Sequence, residues 1–195
     1  MYKVVVVDDE IIIRMFIKEI LQANNYCVIG EAADGLEAIE VCGRTHPDFV
    51  LMDIKMPILD GLDAAAVINQ DGLAGFVLLL TSIRDKEIAK KAVNVMGYIM
   101  KPVDEDTLIP AIEIAINKYE KIKEVEKERD KIKQTMDARR IIERAKGVLM
   151  EKNSMNEQQA YEYIRKLSMD KGATMVSTAR HFLLAYGFSA NCEKK

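Results

Sequence analysis

Seven side chains in the first hundred or so residues could together handle a phosphoryl group. Asp8, Asp9 and Glu10 stand in a row after an apolar run, in "VVVVDDE". Asp53 closes a second run, in "FVLMDIKMP"; Thr81 and Ser82 close a third, in "LLLTS"; Lys101 closes a fourth, in "YIMKP". Carboxylates crowded together repel one another and take up protons unless a cation joins them. An oxygen-rich site with few protein ligands suits Mg²⁺, which keeps several waters and also binds phosphate. One carboxylate could then act as nucleophile toward phosphorus. Mg²⁺ and Lys101 would neutralise charge on the transferring group, and Thr81 would hydrogen-bond it afterwards. Taken singly, each residue has a plainer explanation: Asp9 as a helix N-cap, Asp53 as a turn residue, Lys101 as a surface charge. The agreement of several strand ends favours the chemistry.

The elements that must position these groups are legible in the hydrophobic pattern. Short runs at Val4–Val7, Cys27–Ile29, Phe49–Met52, Phe76–Leu80 and Tyr98–Met100 are apolar throughout and bounded by turn residues, as strands buried on both faces of a parallel sheet are. Helical patterns near 11–23, 35–45, 60–70 and 85–95 alternate with them. This predicts an α/β domain with a doubly wound, five-stranded parallel sheet, and such sheets bind ligands at the carboxyl ends of their strands. A fifth helix is expected to begin near Asp104 and Glu105, acidic residues suited to a helix N-terminus, with Pro110 in its first turn.

That helix has no stop before Asn153, and Gly147 is its first glycine. Within "KYEKIKEVEKERDKIKQTMDARR", Ile122, Val125, Arg129, Ile132 and Met136 recur at alternating spacings of three and four. This is a short coiled-coil seam with one polar position, and it predicts a paired helix rather than a solvated linker. "SMNE" at 154–157 predicts a capping box from Ser154 to Glu157, opening a helix that buries Ala160, Tyr161, Ile164 and Leu167. Gly172 ends it. Thr174 caps a last helix that buries Val176, Ala179, Leu183 and Tyr186. Residues 1–117 are thus expected to form the α/β domain, 118–136 a helical coiled-coil linker, and 137–190 a small three-helix bundle.

Charge is divided unevenly. Residues 1–117 hold 10 Lys/Arg against 19 Asp/Glu, and residues 118–195 hold 18 against 12. An acidic first part and a basic second part point to a polyanion partner for the latter. Cys27, Cys42 and Cys192 show neither a disulfide framework nor a zinc spacing, and Cys27 and Cys42 are expected as buried thiols. No apolar run is long enough for a membrane span, and the first residues lack the pattern of a signal peptide. These features predict a cytoplasmic protein. The candidate DNA-reading helix, "MVSTARHFLLAYG", offers only Ser177, Arg180 and His181 to bases, poor material for major-groove readout. Basic residues lie instead on the preceding helices: Arg139, Arg140 and Lys146 beside Gly147, then Arg165, Lys166 and Lys171. Lys146 is the residue most expected to contact a polyanion, on a face with few acids. Gly147 has two explanations, close helix packing or close approach of a ligand backbone.

Residues 3–117 resemble the receiver domain of bacterial response regulators through "VVVVDDE", "FVLMDIKMPILDGL", "LLLTS" and "GYIMKP". The resemblance implies a flavodoxin-like sheet of order 2-1-3-4-5 and makes Asp53 the phosphoacceptor. It implies Mg²⁺ bound by Asp9, Asp53 and the main-chain carbonyl of Lys55, with Asp8 acting through a water. Thr81 and Tyr98 would be the switch pair, Lys101 the phosphate-pairing lysine, and Lys101–Pro102 a cis bond. The spacing from Thr81 to Lys101 looks about two residues shorter than in the family, and "RDKEIAKKAVNVM" lacks the usual small residues before Gly97. The resemblance places receiver dimers on the face of this helix, so the departure bears on how two copies would meet. Residues 137–187, with "ERAKGVLMEK" and "AYEYIRKLSMDKGATMVSTA", resemble the ANTAR domain, with Ser168 where alanine is common. The whole chain is most similar to ethanolamine-utilisation regulators of this architecture.

Together the resemblances imply a two-component response regulator, not an enzyme. A sensor histidine kinase would phosphorylate it on Asp53. It would dimerise and bind hairpin loops of nascent RNA to prevent termination of transcription. DNA binding and a protein-interaction output are the rival functions.

Overall fold

The computed structural model describes residues 1–82 and 95–187. The helix expected near 85–95 lies almost wholly outside them, as does most of "RDKEIAKKAVNVM", and so does Cys192. Five parallel strands, β1 (Lys3–Val7), β2 (Cys27–Ala32), β3 (Phe49–Asp53), β4 (Phe76–Thr81) and β5 (Gly97–Met100), form one sheet of order β2-β1-β3-β4-β5. Six helices are present among the described residues: α1 (Ile11–Ala23), α2 (Gly35–Thr45), α3 (Gly61–Gln70), α4 (Glu105–Asn153), α5 (Glu157–Asp170) and α6 (Met175–Gly187).

Alternation along each strand sends its side chains to two cores. Val4, Val6, Phe49, Leu51, Phe76 and Leu78 pack with Ile17 and Leu21 of α1 and Leu108 and Ile112 of α4. Val5, Val7, Val50, Met52, Val77 and Leu79 pack with Ala38 and Val41 of α2 and Ala64 and Ile68 of α3. Each fully buried side chain of this kind contributes roughly 1.5–3 kcal/mol. The wholly apolar reading suits β1, β3 and β4, whose residues after Lys3 are all buried. It fails for β2 and β5, which are only partly covered. They are the sheet's edges, each with one neighbouring strand. Cys27 is half-buried for the same reason, while Cys42 is buried.

Carboxylates cap three of the helices that surround the sheet. Asp34 accepts from the amides of Leu36 and Glu37 at 2.9 Å each, and Asp60 accepts from Asp63 at 2.9 Å. Asp104 accepts from the amide of Thr107 at 2.8 Å and so caps α4. Pro110 falls in the second turn of α4, not the first, and the helix runs on through it. Burial of Leu108 and Ile112 against the sheet offsets the hydrogen bond that proline cannot donate.

The last part of α4 packs with α5 and α6 around Ala145, Leu149, Ala160, Ile164 and Ala179. The capping box lies two residues later than expected. Asn156 accepts from the Gln159 amide at 2.8 Å, and the Gln159 side chain accepts from the Asn156 amide at 2.9 Å. Ser154 instead takes a left-handed conformation, φ 50°, which turns the chain so that Met155 reaches the core beside Ala160. Thr174 caps α6 as expected, accepting from Ser177 at 3.2 Å. Tyr161 is exposed rather than buried, and Ser168 takes the inward position. Ala160, Ile164 and Ser168 follow the four-residue repeat that faces the core, and Tyr161 lies one step round the helix.

Gly61 opens α3 directly beneath the end of β3. A Cβ there would stand 2.0 Å from the main-chain oxygen of Asp53, so α3 can approach only because the side chain is absent. Gly61→Ala is expected to lower the thermal midpoint of the α/β unit by several degrees. The cause is overpacking, which costs about 1–3 kcal/mol, and thermal denaturation would measure it.

Candidate functional site

The carboxyl ends of β1, β3, β4 and β5 bring together residues far apart in the chain. Asp8 follows β1 and is completely buried; Asp53 ends β3 and is nearly so. The Lys101 ammonium lies between them, donating to Asp8 Oδ2 at 2.7 Å and standing 3.1 Å from Asp53 Oδ2. Lys101 is placed there by its own amide, which donates to the carbonyl of Thr81 at 2.8 Å and continues the β4–β5 ladder. The Lys101–Pro102 peptide is cis. Thr81 is buried at the end of β4. Asp53 Oδ1 accepts from the amide of Ile54 at 2.9 Å.

Burial raises the Asp53 carboxyl above the ordinary aspartate range; hydrogen bonding and attraction from Lys101 oppose this, and the negative charge of Asp8 adds to it. Burial pulls the Lys101 ammonium down, but hydrogen bonds to Asp8 and Asp53 outweigh it and leave the group raised. Burial sets the direction at Asp53, and one ammonium shared between two acids does not cancel it. Lysine gains from two partners, and Asp53 receives only part of one cation.

Asp9 and Glu10 are exposed beside this pair. One carboxylate oxygen from each of Asp8, Asp9 and Glu10 lies within 4.8 Å of the others. Glu10 occupies the N-cap position of α1 but makes no side-chain cap bond, so its carboxylate is not spent on capping, whereas Asp8 Oδ1 accepts from the Glu10 amide at 3.0 Å. An all-carboxylate, half-open cluster fits Mg²⁺. It includes Glu10, which the family resemblance does not, and Lys101 engages both its Asp8 and the neighbouring Asp53. Lys55 lies exposed two residues beyond β3, and Tyr98 lies on β5 with 55% of its surface exposed.

Arg14 is a contributor that motif reading missed. Its guanidinium donates to the carbonyl of Asp8 at 2.6 Å and so anchors the loop that carries the three acids. The signal in the sequence is a lone cation within the apolar run "IIIRMFI".

In the bundle, the structure separates the candidate polyanion contacts. Arg139, Arg140, Arg165, Lys166 and Lys171 are exposed and make no ion pair among the described residues. Lys146 is not the open cation expected on a face with few acids. It is only 7% exposed and pairs with Glu157 at 2.7 Å and Glu143 at 2.9 Å. Those hydrogen bonds raise its pKa. It is a clasp between α4 and the start of α5. Glu157 is distant in sequence but near in space, so helical periodicity on α4 alone could not reveal it. At Gly147 an added Cβ would meet nothing within 4 Å, so close helix packing does not account for this glycine among the described residues.

A five-stranded doubly wound sheet with paired acids and a lysine at its carboxyl edge defines the receiver class. The response regulator receiver domain family matches residues 4–113, and the ANTAR domain family matches residues 130–183. The chain belongs to the response regulator receiver family and carries a C-terminal ANTAR domain. It is 37% identical over 187 residues to "Transcriptional regulatory protein PdtaR" of Mycobacterium tuberculosis, covering 95% of this chain and 91% of that protein. It is 31% identical to the chemotaxis protein CheY of Bacillus subtilis over 118 residues, 60% of this chain and 98% of that one. Among solved structures, the chemotaxis response regulator CheY4 of Vibrio cholerae matches 59% of this chain and 98% of its own, with TM-score 0.55 and 30% identity. No described helix is long and apolar enough to cross a membrane.

The raised Asp53 pKa carries a pH prediction. A carboxyl whose folded pKa exceeds its unfolded value contributes stability below the unfolded pKa and loses it as pH rises through the folded one. In chelator-containing buffer, Asp53→Asn is therefore expected to be more stable than the parent at pH 7–8, with the difference vanishing toward pH 4. Denaturant melts across that range would show a pH-independent difference if burial of Asp53 were not the cause.

Proposed function

We propose that this response regulator is phosphorylated on Asp53 by a sensor histidine kinase and then acts as a dimer on hairpin loops of nascent RNA, preventing termination of transcription. The observation that carries this is one chain joining a Lys101–Asp8–Asp53 cluster, through a helix with an exposed apolar seam, to a basic ANTAR bundle.

The chemistry follows from the cluster. An Asp53 carboxylate oxygen attacks the phosphorus of a phosphohistidine; the P–O bond forms as the P–N bond breaks, and the imidazole leaves with the electron pair and takes up a proton. Asp9, Asp53 and the Lys55 carbonyl, with Asp8 through a water, would hold Mg²⁺, which when bound neutralises charge on the phosphoryl oxygens. Lys101, already 3.1 Å from Asp53, pairs with a phosphoryl oxygen afterwards. Phosphorylation adds a charge of about −1.5 to −2. The Thr81 hydroxyl would turn to that charge, and the exposed Tyr98 ring would move toward the space behind it. The sheet edge near β5 thus has two states, and phosphate favours one.

The seam supplies the dimer. Ile122, Val125, Ile132 and Met136 are between 41% and 67% exposed, at the three–four spacing that a second copy of the helix would bury. Two bundles on one dimer bind two loops, and the second contact gains from effective concentration. Loop bases are splayed and accessible, which suits a compact face of Arg and Lys. The composition of α6 does not favour reading duplex DNA.

With a small phosphodonor, the parent is expected to double its molar mass in light scattering and to bind a two-hairpin RNA in preference to duplex DNA across a salt titration. Asp53→Asn should do neither. The pair Val125→Asp and Ile132→Asp should keep phosphorylation and lose the dimer. Selective duplex binding, or a phosphodonor response in Asp53→Asn, would refute the proposal.

Gly147 offers a separate test. Gly147→Ala should stabilise the bundle by about 1 kcal/mol through helix propensity yet weaken RNA binding if a ligand backbone approaches there. Unchanged RNA affinity in the stabilised variant would remove Gly147 from the contact surface.

A further inference from the structure

Between α5 and α6 the bundle holds a cleft of about 740 Å³, a size typical of small-ligand sites. Three rings line it. Phe182 and Tyr186 of α6 are stacked, with centroids 4.4 Å apart and planes 20° apart. Tyr163 of α5 meets Phe182 edge-on at 6.2 Å. Aromatic rings are what single-stranded bases stack against, and Tyr163 is 42% exposed.

Polar side chains line the cleft beside the rings: Lys171, Ser177, Thr178 and His181. Thr178 lines it, is only 6% exposed, and has a buried hydroxyl with no hydrogen-bond partner among the described residues. A buried hydroxyl without a partner destabilises a fold unless something else satisfies it. His181 also lines the cleft, and its Nδ1 lies 2.9 Å from the carbonyl of Ser177. A carbonyl only accepts, so Nδ1 carries the proton and a neutral ring keeps Nε2 as an acceptor. Two ammonium groups stand near: Lys171 in the lining, and Lys152, whose Nζ is 5.7 Å from the centroid of Tyr186. Neither has an ion pair among the described residues.

A purely apolar ligand would leave the Thr178 hydroxyl and the His181 ring unmatched. A nucleobase meets all of these features. It has a flat face for the ring wall, edge donors and acceptors for Thr178 and His181, and flanking phosphates for Lys171 and Lys152. We infer that this cleft receives one unstacked base of a single-stranded RNA loop, held against the Tyr163–Phe182–Tyr186 wall and hydrogen-bonded to Thr178. The inference rests on the RNA function proposed above and adds to it a base-binding site distinct from the exposed arginines.

The test uses the full chain treated with a small phosphodonor. Its probes are a two-hairpin RNA obtained by in vitro selection on that chain and derivatives each lacking one loop base. Removing one particular base is expected to weaken binding about ten- to a hundredfold, the range of a base–aromatic stack. Tyr186→Leu should weaken binding of the intact RNA by a similar factor and be insensitive to loss of that same base, the signature of a coupled pair. Thr178→Val should bind about tenfold more weakly while melting at or above the parent temperature, because the orphan hydroxyl is gone. That combination separates a ligand contact from a structural role, and it decides the matter if Tyr186→Leu does not fold. If selected RNA binds tightly but folded Tyr186→Leu and Thr178→Val match the parent, or no single base is coupled to Tyr186, the cleft is not the base site and the RNA function stands. If selection yields no RNA that the chain binds in either phosphorylation state, the RNA function fails, and this inference with it.

Discussion

A single ammonium held between two buried carboxylates is the constraint on which the α/β unit depends. Asp8 and Asp53 lie at neighbouring strand ends in a sheet whose interior is otherwise Val, Leu, Ile, Met and Phe. Without a cation, two charges in that setting would repel and one would protonate. Lys101 answers this from a third strand end, and its position is secured by the backbone bond to Thr81. The arrangement is balanced rather than saturated. Lys101 gains from both acids, while Asp53, with only a share of the cation, remains costly to ionise. A carboxylate that is incompletely compensated attracts a further cation, so the electrostatic cost of the resting cluster and the reactivity proposed for it have the same origin.

The supporting elements follow from that need. Gly61 lets α3 begin against the main chain of Asp53, and Arg14 anchors the loop of Asp8, Asp9 and Glu10 by its carbonyl. α4 begins at the Asp104 cap, packs its first turns on the sheet, and continues unbroken to Asn153. Over its middle it buries nothing, although apolar side chains recur there at the spacing of a helix pair. A helix that keeps apolar residues in register without covering them has solvent as its neighbour in the single chain. Its last turns then supply one wall of the bundle through Ala145 and Leu149.

Much of this was legible. Hydrophobic runs and turn residues placed all five strands within a few residues, and the acids, threonine and lysine at their ends marked the site edge. Three features were not legible, each for a local reason. The edge status of β2 and β5 depends on strand order, which periodicity does not contain. The capping box moved from Ser154 to Asn156 because the left-handed turn at Ser154 brings Met155 to the core, a packing gain that no capping pattern records. Arg14 stands out as a cation in an apolar run, but its anchoring role does not, because that bond goes to a main-chain carbonyl, and carbonyls have no sequence signature.

Lys146 marks the division most clearly. The amino-acid sequence by itself determined the α/β class, the length of α4, the seam and the basic balance of the second part. These rest on periodicity, breakers and charge, which are properties of neighbouring residues. Which charges are available was decided by tertiary structure. Glu157, on the next helix, closes over Lys146 together with Glu143 and removes it from solvent. The same fold leaves Arg139 and Arg165 open and assembles Tyr163, Thr178 and Tyr186 around one cleft. The physical reason is range. Hydrophobic pattern acts within one helix or strand, whereas an ion pair, a shared ammonium or a ring wall exists only where separate elements meet.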